Sequence, residues 1–355
     1  MAFERDALAG KLPVTLITGF LGSGKTTLIS RLLKHPAMNR VAVVINEVGE
    51  IGIDHDLVTM SSENVSLLAN GCLCCTVRTD LQDTLRELFG QRRAGQIPDF
   101  DRVVIETTGL ADPAPVIQTL ASDTMLGAQY RLDGVVTLVD AVNGAGQLLT
   151  QPEAEKQAAV ADLIIISKED IATPDGVASL VESLRSLNGH AVIRHSVMGE
   201  IEPAELIGLG LGSARAGAGT LRFLGELKVD AQTAGAGDGA YLAERTPSRH
   251  DPAIRTLSLR FDVPFTWTSF AGALDLLIGL RGVDLLRVKG IVNVEGEPVV
   301  VQGVQHVMHP AVKLDRWPSD DQQTRLVFIT RRINEQTIRA LFDAVGAVSA
   351  VAQPG

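Results

Sequence analysis

Cysteine is scarce in this 355-residue chain, and all three copies fall inside one tetrad, Cys72-Leu73-Cys74-Cys75. That excludes a scattered disulfide framework. Adjacent Cys74 and Cys75 are poor disulfide partners, so thiols concentrated this tightly point to a soft metal ion or to redox chemistry. Positive charge is also in short supply, with 32 Lys and Arg against 42 Asp and Glu and a net charge of −10. A general nucleic-acid or anionic-membrane surface is thereby disfavoured, because affinity for polyanions comes from clustered cations that release counterions. No apolar run approaches the ~18 residues a membrane helix needs. The opening MAFERDALAG has acidic residues and none of the apolar core of a secretory leader, so the expected location is the cytoplasm. No internal repeat is visible. What is present is ordinary for a globular chain: 45% hydrophobic and 21% charged residues, and a length that favours two domains with buried cores.

Residues 1–208 alternate short β-branched runs with longer helical patterns. This is the signature of a parallel sheet covered on both faces. Strands are predicted at 14–18, 41–46, 65–69, 102–106, 135–140 and 163–167. Helices are predicted at 25–35, at 80–93 with Leu81, Leu85, Leu88 and Phe89 on one face, and at 175–187. The fold class is α/β, a doubly wound and mostly parallel sheet. Residues 209–252 are rich in Gly and Ala and read as a linker, with only 220–229 able to form an element. From 253 to 350 alternation returns at Leu257, Leu259, Phe261 and Val263. A helix at 268–280, strands at 285–294, 298–302 and 325–329, and a last helix at 334–345 complete a smaller α+β domain.

Gly19-Phe20-Leu21-Gly22-Ser23-Gly24-Lys25-Thr26 matches the phosphate-binding pattern G-x-x-x-x-G-K-[ST] in full, between a predicted strand and a predicted helix. Gly19, Gly22 and Gly24 let backbone N–H groups, that of Ser23 included, curl around phosphates, and the helix N-terminus adds partial positive charge. Lys25 reaches the β- and γ-phosphates, the Thr26 hydroxyl ligates magnesium, and Thr27 follows on the same first turn. An anionic nucleotide on an acidic chain must be held by such local dipoles. The base is addressed by Ser167-Lys168-Glu169-Asp170, after the buried run Leu163-Ile164-Ile165-Ile166. In this pattern the Asp170 carboxylate accepts from guanine N1–H and the exocyclic amine, while the Lys168 stem lies along the ring. Adenine offers no such donor pair, and a desolvated carboxylate left unpaired is costly. Guanine is therefore expected, at a strand C-terminus where α/β sheets bind ligands. A further strand ends at Ile105-Glu106-Thr107-Thr108-Gly109. Glu106 can hold magnesium or its waters there, and Gly109 can set a backbone N–H against the γ-phosphate.

Taken together, LITGFLGSGKTTLI, INEVGEIGIDHDL, NGCLCCTVRTDL, ETTGLADPAPV and a carboxy-terminal LLRVKG make the chain resemble the CobW-type metallochaperone GTPases over nearly its whole length. The resemblance implies a GTPase that binds zinc or another transition metal, cobalt or iron among them, and hands it to a client metalloprotein. A CobW C-terminal domain would assist client recognition. Two departures stand out. Ser167 occupies the position where Asn is common in the guanine motif, and the histidine-rich linker tract of many relatives is reduced to His250-Asp251.

Thiolates suit zinc, cobalt or Cu(I), and a bound cation lowers thiol pKa so that ligation proceeds at neutral pH. If the tetrad is extended, Cys72 and Cys74 share a face and Cys75 takes the other; if it turns, Cys72 and Cys75 converge. Either way one stretch hardly supplies the four ligands of a closed structural zinc site, and an incomplete site suits a carrier that releases its metal. Glu47 is the candidate for an added ligand or a magnesium contact. Residues 45–57 and 106–109 are expected to border the γ-phosphate as switches, so GTP would assemble the thiol site and hydrolysis would open it. Two other classes compete: an ATP-using small-molecule or nucleotide kinase with a structural zinc, which needs an acceptor pocket and a base that the sequence does not display, and a redox sensor acting through Cys74 or Cys75. His306 and His309 are expected to be surface or packing histidines, Arg287 and Lys289 to lie on a solvated strand face, and Trp267 and Phe270 to anchor the small domain's core. A monomer or homodimer, without nucleic-acid or membrane partners, is expected.

Overall fold

A computed structural model describes residues 10–38, 40–46, 58–61, 65–68, 73–76, 80–210 and 254–351. Its first part runs β1 Leu12–Gly19, α1 Lys25–Lys34, β2 Val41–Asn46, β3 Val58–Ser61, β4 Val65–Leu68, β5 Leu73–Thr76, α2 Leu81–Arg93 and β6 Arg102–Thr107. It continues with α3 Pro113–Ser122, α4 Thr124–Gln129, β7 Tyr130–Asp140, α5 Gly144–Thr150, α6 Pro152–Ala159, β8 Leu163–Ser167, α7 Pro174–Leu187 and β9 Val192–Ser196. These strands form one sheet in the order β3-β4-β5-β2-β6-β1-β7-β8-β9. From β5 to β9 all neighbours are parallel, while β3 and β4 pair antiparallel with each other and β4 with β5.

The central strands are apolar on both faces because helices cover both. Every residue of β8 is buried. On one side Val14, Leu16 and Ile105 pack with Leu85 and Leu88 of α2 and Ile117 of α3. On the other, Ile17, Val43 and Val104 pack with Leu28 and Leu32 of α1. α2 presents Leu81, Leu85 and Leu88 inward as its 3.6-residue period requires. Asp80 starts it by accepting from the Gln82 N–H at 2.9 Å. The doubly wound α/β expectation is met, with one correction: residues 65–68 pair antiparallel in an edge meander and do not continue the parallel set.

The second part holds β10 Ile254–Phe261, α8 Trp267–Arg281, β11 Leu285–Val294, β12 Glu297–Val304, β13 Val307–Met308, β14 Val312–Lys313, β15 Thr324–Arg331 and α9 Glu335–Val351. The antiparallel sheet β10-β15-β11-β12-β13, with β14 on β12, completes the expected α+β unit. Its core gathers Phe261, Phe265, Phe270, Phe328 and Phe342, and Trp267 packs on Phe270 with ring centroids 6.0 Å apart. Ile254, Leu286, Val304 and Ile329 join the core of the first sheet, so the two parts share an apolar boundary.

That boundary overturns the solvated-face reading of Arg287 and Lys289. Arg287 is buried, meets Asp162 at 2.6 Å and donates to the Val160 carbonyl; Lys289 meets the same Asp162 oxygen at 3.0 Å. A buried cation is tolerated only when paired and hydrogen-bonded, and the partner comes from the turn before β8.

Candidate functional site

The strand-to-helix turn after β1 is built for anions. Gly24 caps α1 at φ 92°, in the left-handed region that disfavours side chains, and supplies no side chain to close the helix end. The first N–H groups of α1 therefore stay available to a ligand. Thr26 and Thr27 are exposed on that first turn. Lys25 is buried and folds back, its Nζ donating to the carbonyls of Gly19 at 2.9 Å and Phe20 at 3.4 Å.

Glu106 is buried at the end of β6, level with Ile17 of β1 and Ile45 of β2. The Thr107 hydroxyl donates to Thr18 Oγ1 at 2.8 Å, joining the ends of β6 and β1. Beyond it the turn closes on the phosphate loop: a Cβ on Gly109 would lie 2.8 Å from the Leu21 backbone nitrogen. Only glycine fits there. The same turn is fastened from α6, where buried Gln157 donates to the carbonyls of Gly109 at 3.2 Å and Ala111 at 2.9 Å.

Ser167 ends β8 beside the loop, and its hydroxyl donates to the Ser23 carbonyl at 2.7 Å. The Ser167–Asp170 tetrapeptide and the phosphate loop are thus one hydrogen-bonded piece. Lys168 takes a left-handed φ of 60° and reaches Asp140 at 2.8 Å. Asp140 ends β7 and also accepts from the N–H groups of Val142 at 2.7 Å and Asn143 at 3.2 Å and from the Asn143 side chain at 3.1 Å. Burial works to raise the Asp140 carboxyl, but these donors, Lys168 first among them, outweigh it and hold the group below its usual range. Asp170 stands exposed one turn further, in the 3₁₀ segment Glu169–Ile171, and Glu169 meets His195 Nδ1 of β9.

Cys74 and Cys75 are consecutive residues of β5, so the extended alternative holds for this part of the tetrad. They lie in register with Val43 and Val44 of β2 and with Ser66 and Val65 of β4. Through β2 and β6, Cys75 is level with Leu16 of β1, three strand spacings or roughly 14 Å away. Cys72 and Glu47 lie outside the described residues. Among the described residues no group of three or more His, Cys, Asp or Glu is arranged to hold a metal.

Gly19, Gly22, Ser23, Gly24, Lys25, Thr26, Glu106, Gly109 and Ser167 thus gather at one sheet edge. Asp140 and Gln157 were missed from the sequence. An Asp closing an apolar strand ahead of Ala-Val-Asn is a turn signal that could have flagged the first, whereas nothing local marks Gln157.

A P-loop nucleotide-binding α/β protein with an antiparallel carboxy-terminal unit is defined by this fold and site. Residues 13–194 match the CobW/HypB/UreG nucleotide-binding domain and residues 254–346 the cobalamin synthesis protein cobW C-terminal domain; the chain belongs to the CobW family. It is 34% identical over 339 residues to the zinc chaperone YjiA of Escherichia coli, covering 93% of this chain and 98% of that one. It is 31% identical over 374 residues to the zinc chaperone CobW of Pseudomonas aeruginosa, covering 92% and 90%. The crystal structure of Zn(II)-bound YjiA GTPase from Escherichia coli matches with a TM-score of 0.72 at 31% identity, covering 94% and 99%.

Proposed function

We propose that the chain hydrolyses GTP and, coupled to that reaction, carries zinc on the Cys72-Leu73-Cys74-Cys75 tetrad to a client metalloprotein. The observation that carries this reading is the alignment of three elements along one sheet edge: the phosphate loop, the Glu106–Gly109 turn packed on it, and the cysteine strand two places beyond β6. Gly19, Gly22, Ser23, Gly24, Lys25 and Thr27 hold the phosphates. The exposed Thr26 hydroxyl and the Glu106 carboxylate are hard oxygen donors of the kind magnesium takes, and they would hold that ion at the phosphates. Held there, magnesium would supply neutralisation of the phosphate charge. Ser167, Lys168 and Asp170 select guanine. Gly109, packed against Leu21, would set its N–H against the γ-phosphate, and residues 45–57, which contain Glu47, would act as the switch that makes the thiol site answer to the nucleotide. Cobalt and iron suit the same thiolates, so the donor set alone does not separate the metals.

Titration of the reduced protein with zinc and with cobalt, under GTP, GDP, ATP and no nucleotide, tests base, metal and coupling together. Zinc affinity is expected to differ between the GTP and GDP forms, ATP to behave as no nucleotide, and Cys72→Ser, Cys74→Ser and Cys75→Ser each to weaken binding. Equal zinc affinity in all nucleotide states would sink the coupling.

A further inference from the structure

A second cavity lies where the two parts of the molecule meet, with a volume of about 410 Å³. Small-molecule sites span roughly 300–1,000 Å³. It opens at the N-terminal ends of β1 and β7, whereas the phosphate loop follows the C-terminal end of β1. The eight residues of β1, roughly 26 Å of strand, separate the two. Much of the wall is apolar and comes from both parts: Tyr130 and Leu132 of β7 on one side, Trp267, Phe270 and Leu274 of α8 and Met308 of β13 on the other.

Two polar groups break this wall. Lys11 donates to the Gly127 carbonyl at 2.5 Å, which uses one of its three N–H donors. Among the described residues no carboxylate stands within ion-pair distance of it, and burial alone pulls its pKa below the ordinary lysine value. His309, just after β13, has its Nε2 buried without a hydrogen-bond partner. Its backbone is fixed by the bond from its N–H to the Gln302 carbonyl at 3.0 Å. The wall also carries Arg131, which shares Asp133 at 3.4 Å with Arg102 at 2.5 Å, and Asp275, exposed on α8. His306, by contrast, is exposed in the turn between β12 and β13.

A buried nitrogen with no partner costs free energy, as does a partly desolvated ammonium with no carboxylate partner among the described residues. One anionic oxygen pair would satisfy both. With the Asp275 carboxylate on the same wall, Lys11 suits one negative charge better than a phosphate dianion, and the aromatic wall suits an apolar body that covers the rest of the ligand. We propose that this cavity binds a small organic carboxylate with an aromatic or branched apolar body, its carboxylate on Lys11 Nζ and His309 Nε2 and its body against Trp267 and Phe270. Because both parts of the chain line the cavity, the ligand also ties them together. The site does not depend on the nucleotide or metal reading.

The chain has two tryptophans, and only Trp267 lines the cavity, so Trp317→Phe leaves one reporter in place. In that background the probe 4-phenylbutyrate is expected to change Trp267 emission saturably and to raise the thermal midpoint. Its uncharged amide, 4-phenylbutyramide, is expected to bind at least tenfold more weakly, the scale of one lost charge-assisted hydrogen bond. Lys11→Gln should lower carboxylate affinity by a similar factor while GTP hydrolysis stays at the parent level, and Ala271→Phe should fill the space and abolish binding. The proposal is overturned if no saturable change occurs up to about 10 mM, a concentration that reaches even weak millimolar binding. It is equally overturned if acid and amide bind alike, or if Lys11→Gln binds the acid as its parent does.

Discussion

Ser167 does two things with one hydroxyl. It ends β8 and it fixes the phosphate loop through the Ser23 carbonyl at 2.7 Å. An asparagine amide could donate the same bond from a longer side chain; here the shorter Ser167 hydroxyl makes it. The departure from Asn thus keeps a hydrogen bond from the end of β8 to the phosphate loop. A neutral buried hydrogen bond contributes about 1 kcal/mol, a factor of about five in an equilibrium constant. Ser167→Ala is therefore expected to raise the GTP dissociation constant roughly three- to tenfold, as read by displacement of a fluorescent GTP analogue. An unchanged constant would mean that the loop holds its shape without this bond.

Among the elements, what the sequence disclosed depended on how local the determinant was. The phosphate loop was legible because glycine, lysine and threonine follow one another between a strand and a helix. β8 was legible as an unbroken apolar run, and α2 and β11 because their patterns run long enough to read. The four residues of β5 and the seven and eight of α5 and α6 are too short for a period to repeat. α3 carried a start signal in Asp112-Pro113, with Asp112 accepting from the Ala114 N–H at 3.0 Å, but its interior lacks a sharp polar face. Arg287 and Lys289 were misread because their partner, Asp162, lies 125 and 127 residues earlier in the chain, beyond any local pattern. At that junction burial works to raise the Asp162 carboxyl, and Arg287 and Lys289 outweigh it to bring the group down to about 2. Removing the carboxylate strands two buried cations. Asp162→Asn is expected to cost about 3–5 kcal/mol in denaturant unfolding. The pair Asp162→Asn with Lys289→Met should recover part of that loss, giving a coupling above about 1 kcal/mol in a double-mutant cycle. Strict additivity would show that Lys289 contributes nothing through Asp162.

At the scale of the whole molecule, β1 and β7 connect two different chemical ends: an exposed edge that gathers the phosphate loop, and a buried junction that holds an ion cluster beside a neutral imidazole. The junction makes the fold sensitive to acid in a calculable direction. Burial first, then the Arg287 charge, pushes the His309 imidazole down to about 4, with Asp162 opposing and Lys11 adding to the effect. Its unfolded value is the ordinary 6.5. Between those values the unfolded chain binds a proton that the folded chain refuses, so stability falls as pH drops from 6.5 through 4. Asp162 acts in the same sense lower down: its folded value of about 2 lies below the ordinary 3.8, so its contribution is present above 3.8 and is lost as pH falls toward 2. The two windows follow one another, and His309 acts in the first. His309→Gln removes that ring while keeping a polar group at the cavity wall. The unfolding free energy of the wild-type chain, measured from pH 7 to 4, is expected to fall more steeply than that of His309→Gln by up to one proton taken up on unfolding near pH 5, about 3 kcal/mol across the window. Parallel slopes in the two proteins would place the His309 imidazole in contact with water and refute the depressed titration.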